Sequence, residues 1–152
     1  EHDEKGHIVE DAETRIKMTE KRLFKKMPDM RSEVAPPFLY GDHNPDIVLV
    51  CWGSLYGLLR EAVDELAGSY GIAMLHFSEL YPFPGTDRFD YLGLLKKARL
   101  SLCVEQNVTG QLARLMRTET GFTFSDHILR YDGRPFMVEE LVSELKKKIS
   151  RL

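Results

Sequence analysis

Several classes of protein are excluded by what this chain is short of. Its 152 residues include only two cysteines, Cys51 and Cys103, and both fall in apolar stretches of strand length. Iron–sulfur clusters are usually held by four cysteines, so the chain alone is excluded as a cluster carrier. Two buried thiols suit a reduced, cytoplasmic protein, although neighbouring strands could bring them close enough for a disulfide. No apolar run approaches the roughly 20 residues that a membrane helix requires, and no charged-then-apolar signal segment opens the sequence. The net charge is −3, which gives no electrostatic basis for binding nucleic acid or an anionic membrane. There is no internal repeat and no low-complexity tract. At 43% hydrophobic content, the chain can bury one core and hardly two.

What is present divides at about residue 45. In the N-terminal segment, 1–45, residues 1 to about 11 are polar and irregular. From Ala12 to about Met27, Ile16, Leu23, Phe24 and Met27 recur at helical spacing, and Asp11–Arg15 and Glu13–Lys17 can pair one turn apart. The pattern predicts an amphipathic helix that needs a surface to lie on. Pro28 is expected to stop it, and Pro36-Pro37 marks a stiff linker. Phe38-Leu39-Tyr40 can add a short edge strand. An apolar helix face on a proline-rich tether also raises exchange between copies of the chain, and hence a homo-oligomer.

From Asp46 to the end, the domain spanning 46–152, strands and helices alternate. Ile47–Trp52, Ile72–Phe77, Leu100–Val104 and His127–Tyr131 read as strands, the last with edge-like alternation. Between them lie a helix with Leu55, Leu59, Ala62, Val63 and Leu66 on one face, one holding Leu92 and Leu95, and one with Leu112, Leu115 and Met116 inward. The closing helix carries Val138, Leu141, Val142, Leu145 and Ile149 on one face. Glu139-Glu140 lie at its start and Lys146–Lys148 at its end, as the helix dipole prefers. Four strand–helix repeats predict an α/β fold, a mostly parallel sheet covered on both faces.

Candidate site residues cluster at strand-to-helix turns. Gly53 allows a tight turn, Ser54 can cap the next helix, and the amides there could hold an anion. With only Gly53 and Gly57 present, this is not a dinucleotide fingerprint. Glu105, Asn107, Thr109 and Gln111 lie beyond the third strand. Thr109 is placed to cap the following helix and Gly121 to end it. A buried Glu105 could act as acid or base, yet sequence places no His, Ser or Cys beside it, so contacts across a domain or subunit boundary are the better reading. Arg134, in a turn after the last strand, can bind a carboxylate or phosphate or can order its own loop. His2, Asp3, Glu4, His7, Glu10 and Asp11 have metal-ligand chemistry but no element to fix their geometry, so polar contacts are expected there and no metal site. No catalytic residue is assigned.

Four stretches, in order, resemble one family. They are Glu1-His2-Asp3-Glu4-Lys5-Gly6-His7-Ile8, with Arg15, Met18, Lys21 and Arg22 beyond; Val50-Cys51-Trp52-Gly53-Ser54-Leu55-Tyr56-Gly57, with His76-Phe77 and Leu80-Tyr81-Pro82; Glu105 to Ala113; and Tyr131 to Phe136. Their wording, above all E-x-N-x-T-G-Q-L-A-R-L, is similar to that of the alpha subunit of 2-oxoacid:ferredoxin oxidoreductases, most like the 2-oxoglutarate type. Where many members carry Thr-Pro after the Pro-Phe pair, this chain has Met137-Val138, so the usual threonine cap of the last helix is absent.

The resemblance implies a three-layer sandwich like the transketolase C-terminal domain. It has one antiparallel edge strand and a topological switch between the first and third strands named above, which places a crevice between Gly53-Ser54 and Glu105–Thr109. It also implies a larger thiamine-binding-type domain ahead of this point, in keeping with a chain that opens on Glu1. The whole enzyme would use thiamine diphosphate, an iron–sulfur cluster and coenzyme A, none bound by this chain alone. Its partners would be a beta subunit and ferredoxin. This part would serve assembly and be inactive by itself. A free-standing α/β module for a nucleotide or phosphate ligand, and the thiamine enzymes that share the fold, are the alternatives.

Overall fold

A computed structural model gives the fold, described for residues 1–151. The chain divides into two compact units, Glu1–Val34 and Ala35–Leu152.

In the first unit the opening residues form no regular element, as expected, but they are tied together by hydrogen bonds. Asp3 Oδ1 accepts the amides of Lys5 (2.8 Å) and His7 (2.9 Å), and His2 bridges Ile8. The Glu1 carboxylate accepts from Arg15 at 2.9 Å and from Arg22. Arg15 therefore turns to Glu1 and not to Asp11, whose Oδ1 accepts the Thr14 amide (2.7 Å) and caps helix α1, Ala12–Glu20. The helix does not stop at Pro28. A π-helical turn, Lys21–Lys26, leads directly into α2, Met27–Glu33. Pro28 lies in the first turn of α2, and the Met27 amide before it reaches five residues back to Arg22 O. The widened turn and the first-turn position accommodate a residue with no N–H, which an uninterrupted α-helix would not.

The second unit is built on five strands: β1 Phe38–Gly41, β2 Ile47–Trp52, β3 Ile72–Phe77, β4 Leu100–Glu105 and β5 Asp126–Leu129. Their order is β1-β3-β2-β4-β5, with β1 antiparallel to β3 and every other pair parallel. The expected edge strand at Phe38 is thus present, and the sheet unit takes in residues ahead of position 46. Strand β4 runs one residue further than expected, to Glu105, and β5 starts and ends earlier.

Helices α3 (Tyr56–Leu66) and α6 (Val138–Ile149) cover one face of the sheet, and α4 (Tyr91–Lys97) and α5 (Gln111–Thr120) cover the other. Alternate residues of each strand feed the two cores. Leu49, Met74 and Leu102 pack with Leu59, Leu66, Leu141 and Leu145 on one side. On the other, Val50, Leu75 and Phe77 pack with Tyr91, Leu95, Leu112 and Met116. Each such leucine, fully removed from water, contributes about 1.5–3 kcal/mol. Parallel strands buried on both faces explain why β2 and β3 read as unbroken apolar runs. The same alternation settles the cysteines. Val50 lies opposite Cys103 in the β2–β4 register, so Cys103 faces the α4–α5 side and Cys51 the α3–α6 side. Both thiols are free.

Because β3 and β4 leave β2 on opposite sides, the strand order reverses there, and the carboxyl ends of β2 and β4 mark the place where open α/β sheets form a crevice. One glycine fixes the edge of this frame. Gly41 has φ +102°, and a Cβ on it would lie 2.6 Å from Ile72 O and 3.0 Å from Val63 Cγ1. Gly41→Ala is expected to cost about 2–3 kcal/mol through backbone strain and overpacking. Gly57→Ala, in open space on α3, should change stability by less than about 1 kcal/mol, in the favourable direction. Equal urea midpoints for the two variants would show that β1 does not depend on this close approach.

Candidate functional site

Glu105 ends β4, and its side chain decides the shape of the crevice. It is 0% exposed, yet its carboxylate is fully engaged. Leu112 N donates at 2.9 Å and Ala113 N at 3.2 Å, so the first turn of α5 is capped by a residue on the preceding strand. Asn107 Nδ2 donates at 2.8 Å and Trp52 Nε1, from the end of β2 across the crevice, at 3.3 Å. The Cys103 thiol donates at 3.4 Å. Burial pushes the Glu105 carboxyl up, but these donors, led by the Leu112 amide and the Asn107 side chain, outweigh it and hold the group below its usual 4.5.

The predicted cap at Thr109 is replaced by this arrangement. Gly110 takes the N-cap position in a left-handed conformation, φ +63°, ψ +58°, with no capping side chain of its own. Asn107 Oδ1 accepts the amides of Thr109 (3.1 Å) and Gln111 (3.2 Å) and closes the turn. Thr109 is exposed, and so is Gln111. Ser54 does not cap either. Gly53–Leu55 forms a 3-10 turn, and α3 begins after it with no side-chain cap. Gly53, at φ +60°, instead presents its carbonyl to His76 Nε2 at 3.0 Å, which identifies the protonated ring nitrogen. Gly121 ends α5 as expected, at φ +73°. Met137 precedes α6 without a side-chain cap, as the missing threonine implied.

The structure therefore brings Gly53, Glu105 and Asn107 to one crevice, bridged by Trp52. Arg134 belongs to another loop. Its guanidinium holds Asp132 (3.0 and 2.8 Å), which Arg130 also contacts at 3.1 Å while pairing with Glu140. The Arg130 guanidinium and the Arg134 amide keep the Asp132 carboxyl well below the usual carboxylate range. Within the chain, Arg134 orders its own loop through Asp132. Sequence reasoning missed Trp52 Nε1 and Cys103 as partners of Glu105. The signal available was that both precede the crevice in adjacent strands, with Cys103 two residues before Glu105 on the same side of β4.

Neither cysteine suits metal ligation or nucleophilic work. Burial pushes the Cys51 thiol up to about 12, and burial with the adjacent Glu105 charge pushes Cys103 higher still. The two face opposite sides of the sheet, so this donor set does not fit an iron–sulfur cluster. Among the described residues no three His, Cys, Asp or Glu side chains are gathered to hold a metal. Asp3, the centre of the opening acidic segment, is spent on backbone amides and on His7 Nδ1 at 3.1 Å. Among the described residues no helix is long and apolar enough to cross a membrane.

A carboxylate with five donors has no free lone pair for a substrate proton. Its ionised form is favoured in the fold, so its stabilisation is complete above 4.5 and is lost as pH falls below that value. Glu105→Ala is expected to cost about 3–5 kcal/mol, because it leaves the α5 amides and the indole N–H buried without a partner. Glu105→Gln should cost less and flatten the acid limb of the stability–pH curve relative to the parent chain. Chemical denaturation between pH 3 and 7 on the order of unit steps measures both; parallel curves would show that Glu105 contributes no proton-linked stability.

No protein-family model matches the chain. Individual proteins do. It is 37% identical over 146 residues to a 2-oxoacid:ferredoxin oxidoreductase alpha subunit from Aeropyrum pernix, covering 93% of this chain but 22% of the relative. A solved 2-oxoglutarate:ferredoxin oxidoreductase from Magnetococcus marinus, with 2-oxoglutarate, coenzyme A and succinyl-CoA bound, superposes with a TM-score of 0.77. That match is at 26% identity over 98% of this chain and 26% of the other. The alpha chain of a probable 2-oxoacid ferredoxin oxidoreductase from Thermoplasma acidophilum matches with a TM-score of 0.52 and 28% identity, over 76% of this chain and 97% of that one. The chain spans under a quarter of the length of the curated relatives it matches. Over that span, it is homologous to a portion of 2-oxoacid:ferredoxin oxidoreductase alpha subunits.

Proposed function

We propose that this chain acts as a domain of the alpha subunit of a 2-oxoacid:ferredoxin oxidoreductase of the 2-oxoglutarate type, and that its task is assembly. The whole enzyme would convert a 2-oxoacid and coenzyme A to acyl-CoA and carbon dioxide, passing two electrons to ferredoxin. Thiamine diphosphate and the iron–sulfur cluster would be held by other domains and by the beta subunit. The Magnetococcus marinus match, with 2-oxoglutarate bound in that protein, supports the substrate class.

The observation that carries the reading is the contrast along the carboxyl edge of the sheet. At this edge the buried Glu105 carboxylate is saturated by five donors, none of them a histidine. Around it, four exposed apolar side chains follow the carboxyl ends of β3, β4 and β5: Tyr81 (63%), Val108 (59%), Tyr131 (69%) and Met137 (54%). Large apolar residues on a polar rim suit a protein partner, and the beta subunit and the rest of alpha are the partners proposed. A cytoplasmic, reducing location agrees with two buried free thiols.

The reading is tested by purifying the tagged chain from its native cells and assaying viologen reduction with coenzyme A and thiamine diphosphate. The eluate is expected to reduce viologen with 2-oxoglutarate and far less with pyruvate, and the chain stripped of its partners should be inert. Co-purifying subunits that reduce viologen with no 2-oxoacid, or activity in the isolated chain, would overturn it. Val108→Asp, which leaves the Glu105 contacts intact, should reduce recovery of those partners by about tenfold, the effect of roughly 1.4 kcal/mol lost at an interface.

A further inference from the structure

The assembly reading leaves one cavity unused. It lies between α5 and the edge strand β5, with a volume of about 160 Å³, room for about five water molecules at ~30 Å³ each. Arg114 and Arg117 border it, one turn apart on the same side of α5. Thr109 and Thr123 contribute hydroxyls, and His127 lines it from β5. No Asp or Glu lines this cavity.

Its polar groups are unspent. Arg130 and Arg134, by contrast, are tied into ion pairs. Among the described residues, neither the Arg114 nor the Arg117 guanidinium has a hydrogen-bond or ion-pair partner. His127 Nδ1 is buried with no partner at all. The ionised Glu105 lies beneath Gly110, and its oxygens are held by the Leu112, Ala113 and Asn107 donors and by no arginine. Phe122 and Phe124, ring to ring at 5.1 Å, form an apolar wall, and Phe124 sets its edge against His127 at 6.0 Å.

We propose that this cavity is a binding site for a phosphate group. Two unpaired guanidinium forks supply charge for a dianion. Two threonines and a histidine line it from separate elements, so donors can be offered from several sides, which suits the tetrahedral oxygens of a phosphate better than the two coplanar oxygens of a carboxylate. The aromatic wall leaves an apolar surface for whatever carries the phosphate. Thr109, expected to cap α5, is freed for this by the Glu105 cap. The site stands independently of the oxidoreductase reading, and either can fail alone.

The test is an inorganic phosphate titration of the full ¹⁵N-labelled chain, followed by amide and imidazole NMR signals, with succinate as a parallel titrant. Saturable shifts confined to Thr109–Arg117 and Thr123–Leu129 are expected, with a Kd on the order of 1 mM. Arg114→Gln with Arg117→Gln, both on exposed side chains, should weaken binding by at least about tenfold with the remaining spectrum unchanged. Arg99→Gln, away from the cavity, should bind as the parent does. Shifts that do not saturate, binding undiminished in the double variant, or succinate bound as tightly as phosphate would each overturn the proposal.

Discussion

A carboxylate buried at the tip of a parallel strand is the constraint on which the carboxyl edge of this sheet depends. Taking a charge out of water costs several kcal/mol unless the surrounding groups replace its hydration shell. Glu105 has that replacement, and each donor comes from a different structural debt. The α5 amides need acceptors because a helix start leaves its first N–H groups unpaired. The Trp52 indole must find a partner where it enters the core. Asn107 must point one way to close its own turn, and its amide nitrogen then falls to Glu105. One residue satisfies all of them, so β2, β4 and α5 are tied at a single point.

That tie also bears on chemistry. In an open α/β sheet, the crevice at the strand-order reversal is where a ligand or catalytic group is expected. Here the position is occupied by a group that the fold keeps ionised and fully coordinated. A general base needs a free lone pair within reach of a substrate proton. The geometry leaves Glu105 no free lone pair, His76 is turned to the Gly53 carbonyl, and neither His76 nor His127 is hydrogen-bonded to the carboxylate. The residues that remain exposed around the crevice are those that suit contact with another surface.

Much of this was legible in the sequence, and the failures share a cause. The strands from Ile47, Ile72 and Leu100 and the helix faces from Leu59 to Leu66 and from Leu141 to Ile149 follow from periodicity, because burial on one or both faces writes itself into adjacent residues. The place of the crevice came from the strand order that the family resemblance implied. Thr109 and Ser54 fit the local rule for helix caps, yet α5 is capped from seven and eight residues away by Glu105. A rule that looks at neighbouring positions cannot register an acceptor delivered by tertiary structure. Pro28 failed in the same sense: the stop signal is local, and a widened turn absorbed it. The two cysteines were close in strand order but not in direction, which only the register could show.

Rigidity at the crevice gives the exposed edge its value. Docking costs less when the contacting side chains are already fixed, since ordering a mobile loop consumes free energy that binding would otherwise keep. Val108 sits at the crown of a turn whose two flanks are held by Asn107 and Glu105. Tyr131 opens a loop clamped by Arg130, Asp132 and Arg134. Both apolar contacts are thus presented on polar frames that spend their charges internally. A frame built this way has its polar groups already hydrogen-bonded, so covering it adds less to the cost of burying the apolar residues. The same internal satisfaction that leaves Glu105 without a free lone pair would make the edge around it less costly to cover in the proposed assembly.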